Sequence, residues 1–201
     1  MAILFLGSSS QSRQTLLREV GIPFTLIGHY ADEESVPHGA TLQETVLAIA
    51  LYKMEHIRMP KGTEGEVAYV LTADTMGVDV EGVVHGKPKN REDAITKIKA
   101  CRNGVLTTAT GFCIEKRIFH AGKWVVDARH QEVVSSQSVF YVPDAWIDRY
   151  LEHSLGMIAS GGIAIELYGA QFLQSVTGSY SSIVGLPVFE VRQALEQLGF
   201  F

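Results

Sequence analysis

The stretch VAYVLTA, residues 67–73, constrains the fold more than any other segment, because it is nearly all apolar. A strand with one face in water alternates apolar and polar residues. A continuous apolar run instead indicates a strand that is covered on both faces. The segment therefore predicts a strand inside a sheet that is packed on both sides.

The segments around this run alternate between strand-like and helix-like patterns. Strands are predicted over residues 2–6, 24–27, 67–73, 106–119 and 123–142, with hairpin turns at 81–82 and 121–122. Helices are predicted over residues 11–20, 41–57, 90–101, 143–153 and from 187 onwards.

The ends of the helices are predicted from single residues. Ser10, Thr41 and Asn90 are the predicted helix N-caps, and Gly21 ends the first helix. Leu16, Leu17 and Val20 are expected on one face of the first helix, and Pro143 at the first position of the fourth. Helices and strands alternate first and antiparallel strands follow, so we predict a mixed α/β sheet.

Length and composition set the class of protein. The chain has 201 residues, 46% of them hydrophobic, enough for a sizeable core, and we expect one domain over residues 1–201. The net charge of -5 and the absence of a basic run argue against a nucleic-acid partner. Cys101 and Cys113 are expected to be buried free thiols. No segment has the form of a signal peptide or membrane span, so we predict a cytoplasmic protein without a membrane partner.

The segment GSSSQSR, residues 7–13, joins the first strand to the first helix and forms a candidate anion site. The first N–H groups of a helix have no partners inside it, and Ser8, Ser9 and Ser10 add hydroxyls. Arg13 lies in the first turn, where the helix dipole disfavours a cation by about 0.3–1 kcal/mol. A bound phosphate would account for this arginine. Taken alone, the segment slightly favours a simpler interpretation, in which Ser10 caps the helix and Arg13 lies in water.

The segment LTADT, residues 71–75, places Asp74 after the apolar run, at the predicted carboxyl end of its strand. Open α/β sheets bind ligands beyond that end. A carboxylate there holds a metal ion or accepts a proton from water. The alternative is an aspartate that caps the following turn, and we favour the functional interpretation.

The segment HGKPK, residues 85–89, carries a candidate phosphate ligand. Gly86 and Pro88 bracket Lys87, and the proline restricts the backbone before it, which fixes the direction of the lysine. An ammonium on a fixed base suits phosphate neutralisation. On spacing alone, an ordinary solvated lysine is the more common case.

Two glutamates are weaker candidates. Glu33 lies in the acidic loop ADEES, and such loops are usually just solvated. Glu166 lies between Ile165 and Leu167, and a carboxylate among apolar residues needs a partner. The seven histidines show no metal-binding spacing, and we assign none of them a role.

Together these segments resemble the Maf family of nucleoside triphosphate pyrophosphatases over nearly the whole chain. The matching segments, in the family's order, are LGSSSQSRQTLLREVGIPF, ADEES, LTADT, HGKPKNREDA and SGGIAIELYGAQFLQSVTGSYSSIVGLP. Each segment is weak by itself, whereas five in this order and spacing are specific.

The resemblance implies an elongated mixed α/β sheet flanked by helices, with two lobes around a cleft. It also implies cleavage between the α- and β-phosphates of a nucleoside triphosphate, and a homodimer. A divalent metal, Mg²⁺ or Mn²⁺, would be held by Glu33 and Asp74. By position, Asp74 corresponds to the general base, and the substrate-binding residues correspond to Ser8, Arg13, Glu33, Lys87 and Glu166.

Substrate preference in the family tracks three positions, which here are Ser12, Thr75 and Glu166. Thr75 resembles the branch acting on dTTP and UTP. Glu166 resembles the branch acting on 7-methyl-GTP, and Ser12 fits neither. The preferred base therefore stays open.

The sequence thus predicts a hydrolase acting on the anhydride bond of a nucleoside triphosphate. Departures from the family pattern at Ser12, Ala159, Ser179 and Ser182 keep an alternative open. This alternative is a catalytically weak, nucleotide-binding regulatory protein linked to cell division. A single-stranded RNA binder is disfavoured by the pI near 5.8 and the lack of interleaved arginine and aromatic residues.

Overall fold

The computed structural model describes residues 3–37, 39–102 and 104–201 of the chain. The strands are β1 (Ile3–Leu6), β2 (Thr25–Leu26), β3 (Val67–Val78), β4 (Val105–His120), β5 (Lys123–Phe140) and β6 (Leu173–Thr177). The α-helices are α1 (Gln11–Glu19), α2 (Leu42–Glu55), α3 (Arg91–Cys101), α4 (Ile147–His153), α5 (Tyr180–Val184) and α6 (Val188–Gln197). Short 3₁₀ turns, among them Glu33–Ser35 and Leu167–Phe172, lie between these elements.

The six strands form one mixed sheet in the order β2-β1-β3-β4-β5-β6. Leu6 of β1 pairs in parallel with Leu26 of β2 and with Leu71 of β3. At the other edge, β5 pairs antiparallel with β6. The two residues between β4 and β5, Ala121 and Gly122, both have positive φ, of 50° and 80°, as a tight hairpin requires. The predicted mixed α/β fold is confirmed.

Short polar side chains set where the first three helices begin. Ser10, Thr41 and Asn90 cap α1, α2 and α3, as predicted. At Thr41 the capping box is complete, because the Glu44 side chain accepts the Thr41 backbone N–H at 3.1 Å. Gly21 follows α1 with a φ of 69°, the left-handed conformation expected at a helix end.

The central strand is longer than its apolar run. Residues 68–73 of β3 are buried, as predicted for a covered strand, but β3 continues to Val78. Asp74 therefore lies inside the strand, and its predicted position at the strand's carboxyl end is wrong. The strand that ends near Asp74 is β1, not β3. The last pair between β1 and β3 joins Leu6 to Leu71, so Asp74 lies three residues beyond the last β3 residue that pairs with β1.

One helix end differs from its prediction, and one prediction is wrong. α1 ends at Glu19, and Val20 is its C-cap and is 49% exposed, unlike the buried Leu16 and Leu17. Pro143 is not the first residue of a helix. It has an extended backbone and precedes a 3₁₀ turn, after which α4 begins at Ile147.

The contacts divide the chain into two compact units. The first unit comprises Met1–Asp74, Thr110–Val134 and Gly185–Phe201, and the second comprises Thr75–Ala109 and Ser135–Val184. The first has a core cluster that includes Phe5, Met54 and Val70. The second has one that includes Ile98, Phe140 and Tyr150. That residues 1–201 form a single domain stays a prediction.

Both cysteines are buried free thiols, as expected. Burial raises the pKa of Cys101 to about 11 and that of Cys113 to about 12. Among the described residues, no helix is long and apolar enough to cross a lipid bilayer.

Candidate functional site

The turn between β1 and α1 is organised around Ser8 and Arg13, which are both buried. Ser8 Oγ accepts an N–H from Arg13 Nη1 at 3.1 Å and the backbone N–H of Ser10 at 3.3 Å. Arg13 Nε donates to the carbonyl oxygen of Gly185, shortly before α6, at 2.8 Å. Only 7% of the Arg13 surface is exposed, so the interpretation of Arg13 as a solvated side chain is wrong.

A lysine from α2 joins the two predicted carboxylates. Lys53 Nζ lies 2.8 Å from Asp74 Oδ1 and 3.0 Å from Glu33 Oε2. It also donates to the carbonyl oxygen of Ala73 at 3.4 Å. The Lys53 side chain is 6% exposed, and a buried ammonium is stable only with such partners. We call Ser8, Arg13, Glu33, Lys53 and Asp74 the site cluster.

The charges of the site cluster act on one another. Burial lowers the pKa of the Arg13 guanidinium, while the charges of Asp74 and Glu33 act in the opposite direction. Since arginine stays protonated at physiological pH, the cluster holds two buried cations and two carboxylates. His29 Nε2 lies 3.8 Å from Glu33 Oε1, and burial followed by the charge of Lys53 lowers the pKa of His29. This imidazole is therefore mainly neutral at pH 7.

The two carboxylates fit a hard divalent cation. Glu33 and Asp74 approach one cationic centre from different elements, and Mg²⁺ commonly binds to one or two carboxylates together with substrate phosphates. Within the described ranges, no group of three or more His, Cys, Asp or Glu side chains is placed to hold a metal ion.

Lys53 is the functional candidate that the sequence analysis missed. Its signal was its spacing, because it follows Val46, Ile49 and Ala50 at helical intervals, and these three residues are buried on α2. A lysine at this spacing lies on the apolar face of the helix and needs a counterion. Only the fold reveals that the counterions are Glu33 and Asp74.

Lys87 lies in the second unit, in an exposed segment that follows the hairpin at the end of β3. Its side chain is exposed, but the backbone around it is held. His85 Nε2 lies 2.7 Å from Asp79 Oδ2, and Lys97 Nζ donates to the carbonyl oxygen of Lys87 at 3.1 Å. None of His85, Asp79 and Lys97 was a predicted site residue.

The three predicted specificity residues are all half-buried. Ser12 lies in the first turn of α1, in the first unit. Thr75 and Glu166 belong to the second unit, Thr75 within β3 and Glu166 immediately before the 3₁₀ turn Leu167–Phe172. Their roles in specificity stay predictions.

Ser179 and Ser182, two of the departures from the family pattern, both contact Ser136 of β5. Ser182 is buried and its Oγ lies 2.8 Å from Ser136 Oγ and 2.8 Å from the carbonyl oxygen of Ser179. The Ser179 N–H donates to Ser136 Oγ, also at 2.8 Å. These three serines thus join β5 to the start of α5.

Residues 3–198 match the family described as Maf-like protein. The chain belongs to this family. The match covers both units, including every residue of the site cluster, and it confirms the resemblance found from the sequence.

Several Maf-like relatives align along almost their whole length. A protein named dTTP/UTP pyrophosphatase from Anaeromyxobacter dehalogenans is 33% identical over 98% of this chain and 94% of its own. One of the same name from Fusobacterium nucleatum is 31% identical over 98% of this chain and 96% of its own. A protein named nucleoside triphosphate pyrophosphatase from Prochlorococcus marinus is 28% identical over 98% of each chain.

One solved structure, described as a HAM1 protein from Coxiella burnetii, aligns with a TM-score of 0.39 and 16% identity. The alignment covers 98% of this chain and 96% of that one. At this level of similarity, neither the fold nor the function of the Maf-like chain rests on it.

Proposed function

We propose that this Maf-like protein hydrolyses a nucleoside triphosphate to the monophosphate and pyrophosphate. It would thus be a hydrolase acting on an acid anhydride. One observation carries the proposal beyond family membership: the buried Lys53 ammonium contacts both Glu33 and Asp74, and Arg13 is buried in the same unit. This set combines a carboxylate that can accept a proton with cations that attract a polyphosphate.

The cations of the site cluster serve the phosphates. Negative charge around the α-phosphorus repels a hydroxide-like nucleophile, and fixed positive charge lowers that barrier. Arg13 supplies a guanidinium that Ser8 and the Gly185 carbonyl hold in place. The N–H groups at the start of α1 add further donors. By resemblance, Lys87 supplies an additional ammonium.

Asp74 would act as the general base. Its carboxylate takes a proton from water, the water oxygen bonds to the α-phosphorus, and the bond from that phosphorus to the bridging oxygen breaks. Pyrophosphate leaves with the electrons of that bond. Lys53 fixes the direction of the carboxylate, because its ammonium lies 2.8 Å from Asp74 Oδ1.

Glu33 has a related supporting role. Together with Asp74, it would hold a divalent cation, Mg²⁺ or Mn²⁺, which when bound neutralises charge on the phosphate oxygens. Glu33 is 46% exposed, so its carboxylate is open to a ligand that arrives from solvent. Its contact with Lys53 fixes its direction.

The preferred substrates that we propose are dTTP and UTP. At Thr75, the chain resembles the branch of the family that acts on these nucleotides. Two of the relatives above are named dTTP/UTP pyrophosphatase. Glu166 resembles the branch acting on 7-methyl-GTP, so that nucleotide is the first competitor to test. We also propose a homodimer located in the cytoplasm, which light scattering and cell fractionation would test.

The decisive experiment measures pyrophosphate and orthophosphate separately with Mg²⁺ and with Mn²⁺. The panel contains dTTP, UTP, CTP and 7-methyl-GTP. We expect equal amounts of nucleoside monophosphate and pyrophosphate. Release of orthophosphate alone would rule out attack at the α-phosphorus.

The regulatory alternative gives a different result in the same samples. A nucleotide-binding protein without catalysis would bind dTTP tightly, as measured by calorimetry, and release no pyrophosphate with either metal. Asp74→Asn keeps the size of the side chain. If this variant loses the turnover, the activity belongs to this chain and not to a contaminating enzyme.

A further inference from the structure

We propose that His85 and Lys97 are positioning residues that hold the backbone of Lys87 from its two sides, so that its ammonium is aimed at the polyphosphate. The inference rests on the proposed function, because it concerns how Lys87 serves that reaction. All of the residues involved lie in the second unit. Neither His85 nor Lys97 has a role in the proposed chemistry itself.

On the N-terminal side, the anchor is the hairpin at the end of β3. Asp79 Oδ1 accepts the backbone N–H groups of Glu81 and Val83, at 2.9 and 3.0 Å. Its other oxygen, Oδ2, lies 2.7 Å from His85 Nε2. The His85 hydrogen bond is the main reason that the pKa of Asp79 is lowered, and the two backbone N–H groups contribute to it. The ionised Asp79 carboxylate thus joins the hairpin turn to His85, which lies two residues before Lys87.

A second contact fixes the same end of the segment. The N–H of Gly161 donates to the carbonyl oxygen of Gly86 at 3.2 Å. A side chain at Gly161 would meet the His85 Cβ at 3.5 Å and Cys101 Sγ at 3.2 Å, and Gly161 has a φ of 66°. The glycine therefore allows the close approach of backbone to backbone just before Lys87.

On the C-terminal side, the anchor is α3. Lys97 Nζ donates to the carbonyl oxygen of Lys87 at 3.1 Å and to Asp93 Oδ2 at 2.8 Å. The same Asp93 oxygen accepts the backbone N–H of Lys89, also at 2.8 Å. Asp93 and Lys97, on successive turns of α3, thus hold the backbone at Lys89 and at Lys87.

These contacts matter because Lys87 is exposed. A lysine side chain rotates about four single bonds and loses about 2 kcal/mol of rotamer entropy when it is fixed. If the backbone also moved, the ammonium would have more conformations available and would spend less time at the phosphate. Anchors on both sides remove the backbone contribution and leave the side chain free to follow the ligand.

The test is a double-mutant cycle with Lys87. His85→Leu and Lys97→Met remove the anchoring groups and keep side chains of similar size. Each is made alone and combined with Lys87→Ala. For each protein, KM and kcat for dTTP are measured, and calorimetry gives the Kd for inorganic pyrophosphate. Lys99→Met on the exposed side of α3 and Asp148→Asn on α4 are the matched controls.

We expect each anchor variant to raise KM and the pyrophosphate Kd roughly tenfold in the wild-type background. Combined with Lys87→Ala, each should add less than about twofold, because there is no longer an ammonium to aim. Lys97→Arg and His85→Gln keep a donor at the same place, and we expect them to restore most of the affinity. The controls should change neither constant, and thermal unfolding should show all variants to be folded.

Three results would overturn the proposal. Effects that are additive with Lys87→Ala would mean that the anchors act by another route. Anchor variants with wild-type KM and Kd would mean that the backbone needs no such support. A Lys87→Ala variant with normal constants would remove Lys87 from the site while leaving the proposed pyrophosphatase activity standing. If the wild type releases no pyrophosphate, the proposed function fails, and the Kd cycle still decides the positioning roles.

Discussion

Two charge clusters among the described residues of the first unit are built in opposite ways. In the site cluster, one buried ammonium, Lys53, contacts two carboxylates, Glu33 and Asp74. On β4 and β5, one buried carboxylate, Glu115, contacts two guanidinium groups. Arg117 Nε donates to Glu115 Oε2 at 2.6 Å, and Arg129 Nε donates to Oε1 at 2.8 Å.

The difference lies in which charge is central and how it is held. Glu115 is 1% exposed, and both of its oxygens accept from guanidinium groups whose planar geometry suits a carboxylate. This cluster is satisfied by itself. In the site cluster, the central group is a point charge, and the half-exposed Glu33 faces solvent. In each cluster one outer member meets solvent, Arg129 at 42% exposure and Glu33 at 46%. Only in the site cluster is that outer member a carboxylate, the group that can bind a cation.

The largest expected effect is on turnover in the site cluster. Asp74→Asn removes the proposed base and keeps the shape of the side chain, so we expect kcat to fall by about 1,000-fold. Pyrophosphate release with dTTP measures the loss. The unfolding temperature should stay near that of the wild type, because Lys53 keeps Glu33 as its counterion and the amide oxygen still accepts its N–H. Asp127→Asn, in an exposed ion pair with Lys116, is the control. Full activity in Asp74→Asn would remove Asp74 from the base role.

The next effect is on stability in the Glu115 cluster. Glu115→Gln leaves Arg117 largely buried without its counterion, and breaking a buried pair costs about 3 kcal/mol. Urea unfolding should show this loss, while kcat per folded molecule stays unchanged. Glu132→Gln, whose side chain is 42% exposed, should cost less than about 1 kcal/mol. A stable but inactive Glu115→Gln variant would contradict the separation of the two clusters.

A smaller effect is expected from the centre of the site cluster. Lys53→Met removes the ammonium that fixes Asp74 and Glu33, and we expect kcat/KM to fall by about 10- to 100-fold. Stability should change less than in Glu115→Gln, because Glu33 is free to turn into water. Lys116→Met, in the first unit but outside both clusters, is the matched control. Wild-type kinetics in Lys53→Met would mean that the lysine only packs.

The smallest effect concerns pH. Burial, followed by the charge of Glu115, raises the pKa of Cys113 to about 12, from 9.0 for an exposed thiol. Between these values the unfolded chain loses its proton and the folded protein keeps it, so stability falls as pH rises above about 9. From pH 9 to pH 10, the Cys113 contribution to the free energy of unfolding should fall by about 1 kcal/mol.

The measurement is urea unfolding of the wild type and Cys113→Ala at pH 7, 9 and 10. The difference between the two proteins cancels the titration of lysines and tyrosines that both contain. We expect this difference to narrow as pH rises. Parallel curves would show that the buried Cys113 thiol is not shielded from water.

Much of the fold was readable from local chemistry. The apolar run before Asp74 predicted the covered strand, and Ser10, Thr41 and Asn90 predicted where three helices begin, because capping depends on a few adjacent residues. The continuation of β3 to Val78 was not readable. It depends on sheet pairing with distant segments, and no pattern in residues 74–78 reports on those segments.

By itself, the sequence determined the family, the mixed α/β class and the residue types of the site, including Arg13 and Asp74. The tertiary structure decided what these residues contact. It buried Arg13 against the Gly185 carbonyl and brought Lys53 between Glu33 and Asp74. The physical reason is that a capping signal acts within one turn of chain, whereas a buried charge is satisfied by whichever opposite charge the fold brings within about 3–4 Å. That choice depends on packing between residues far apart in sequence.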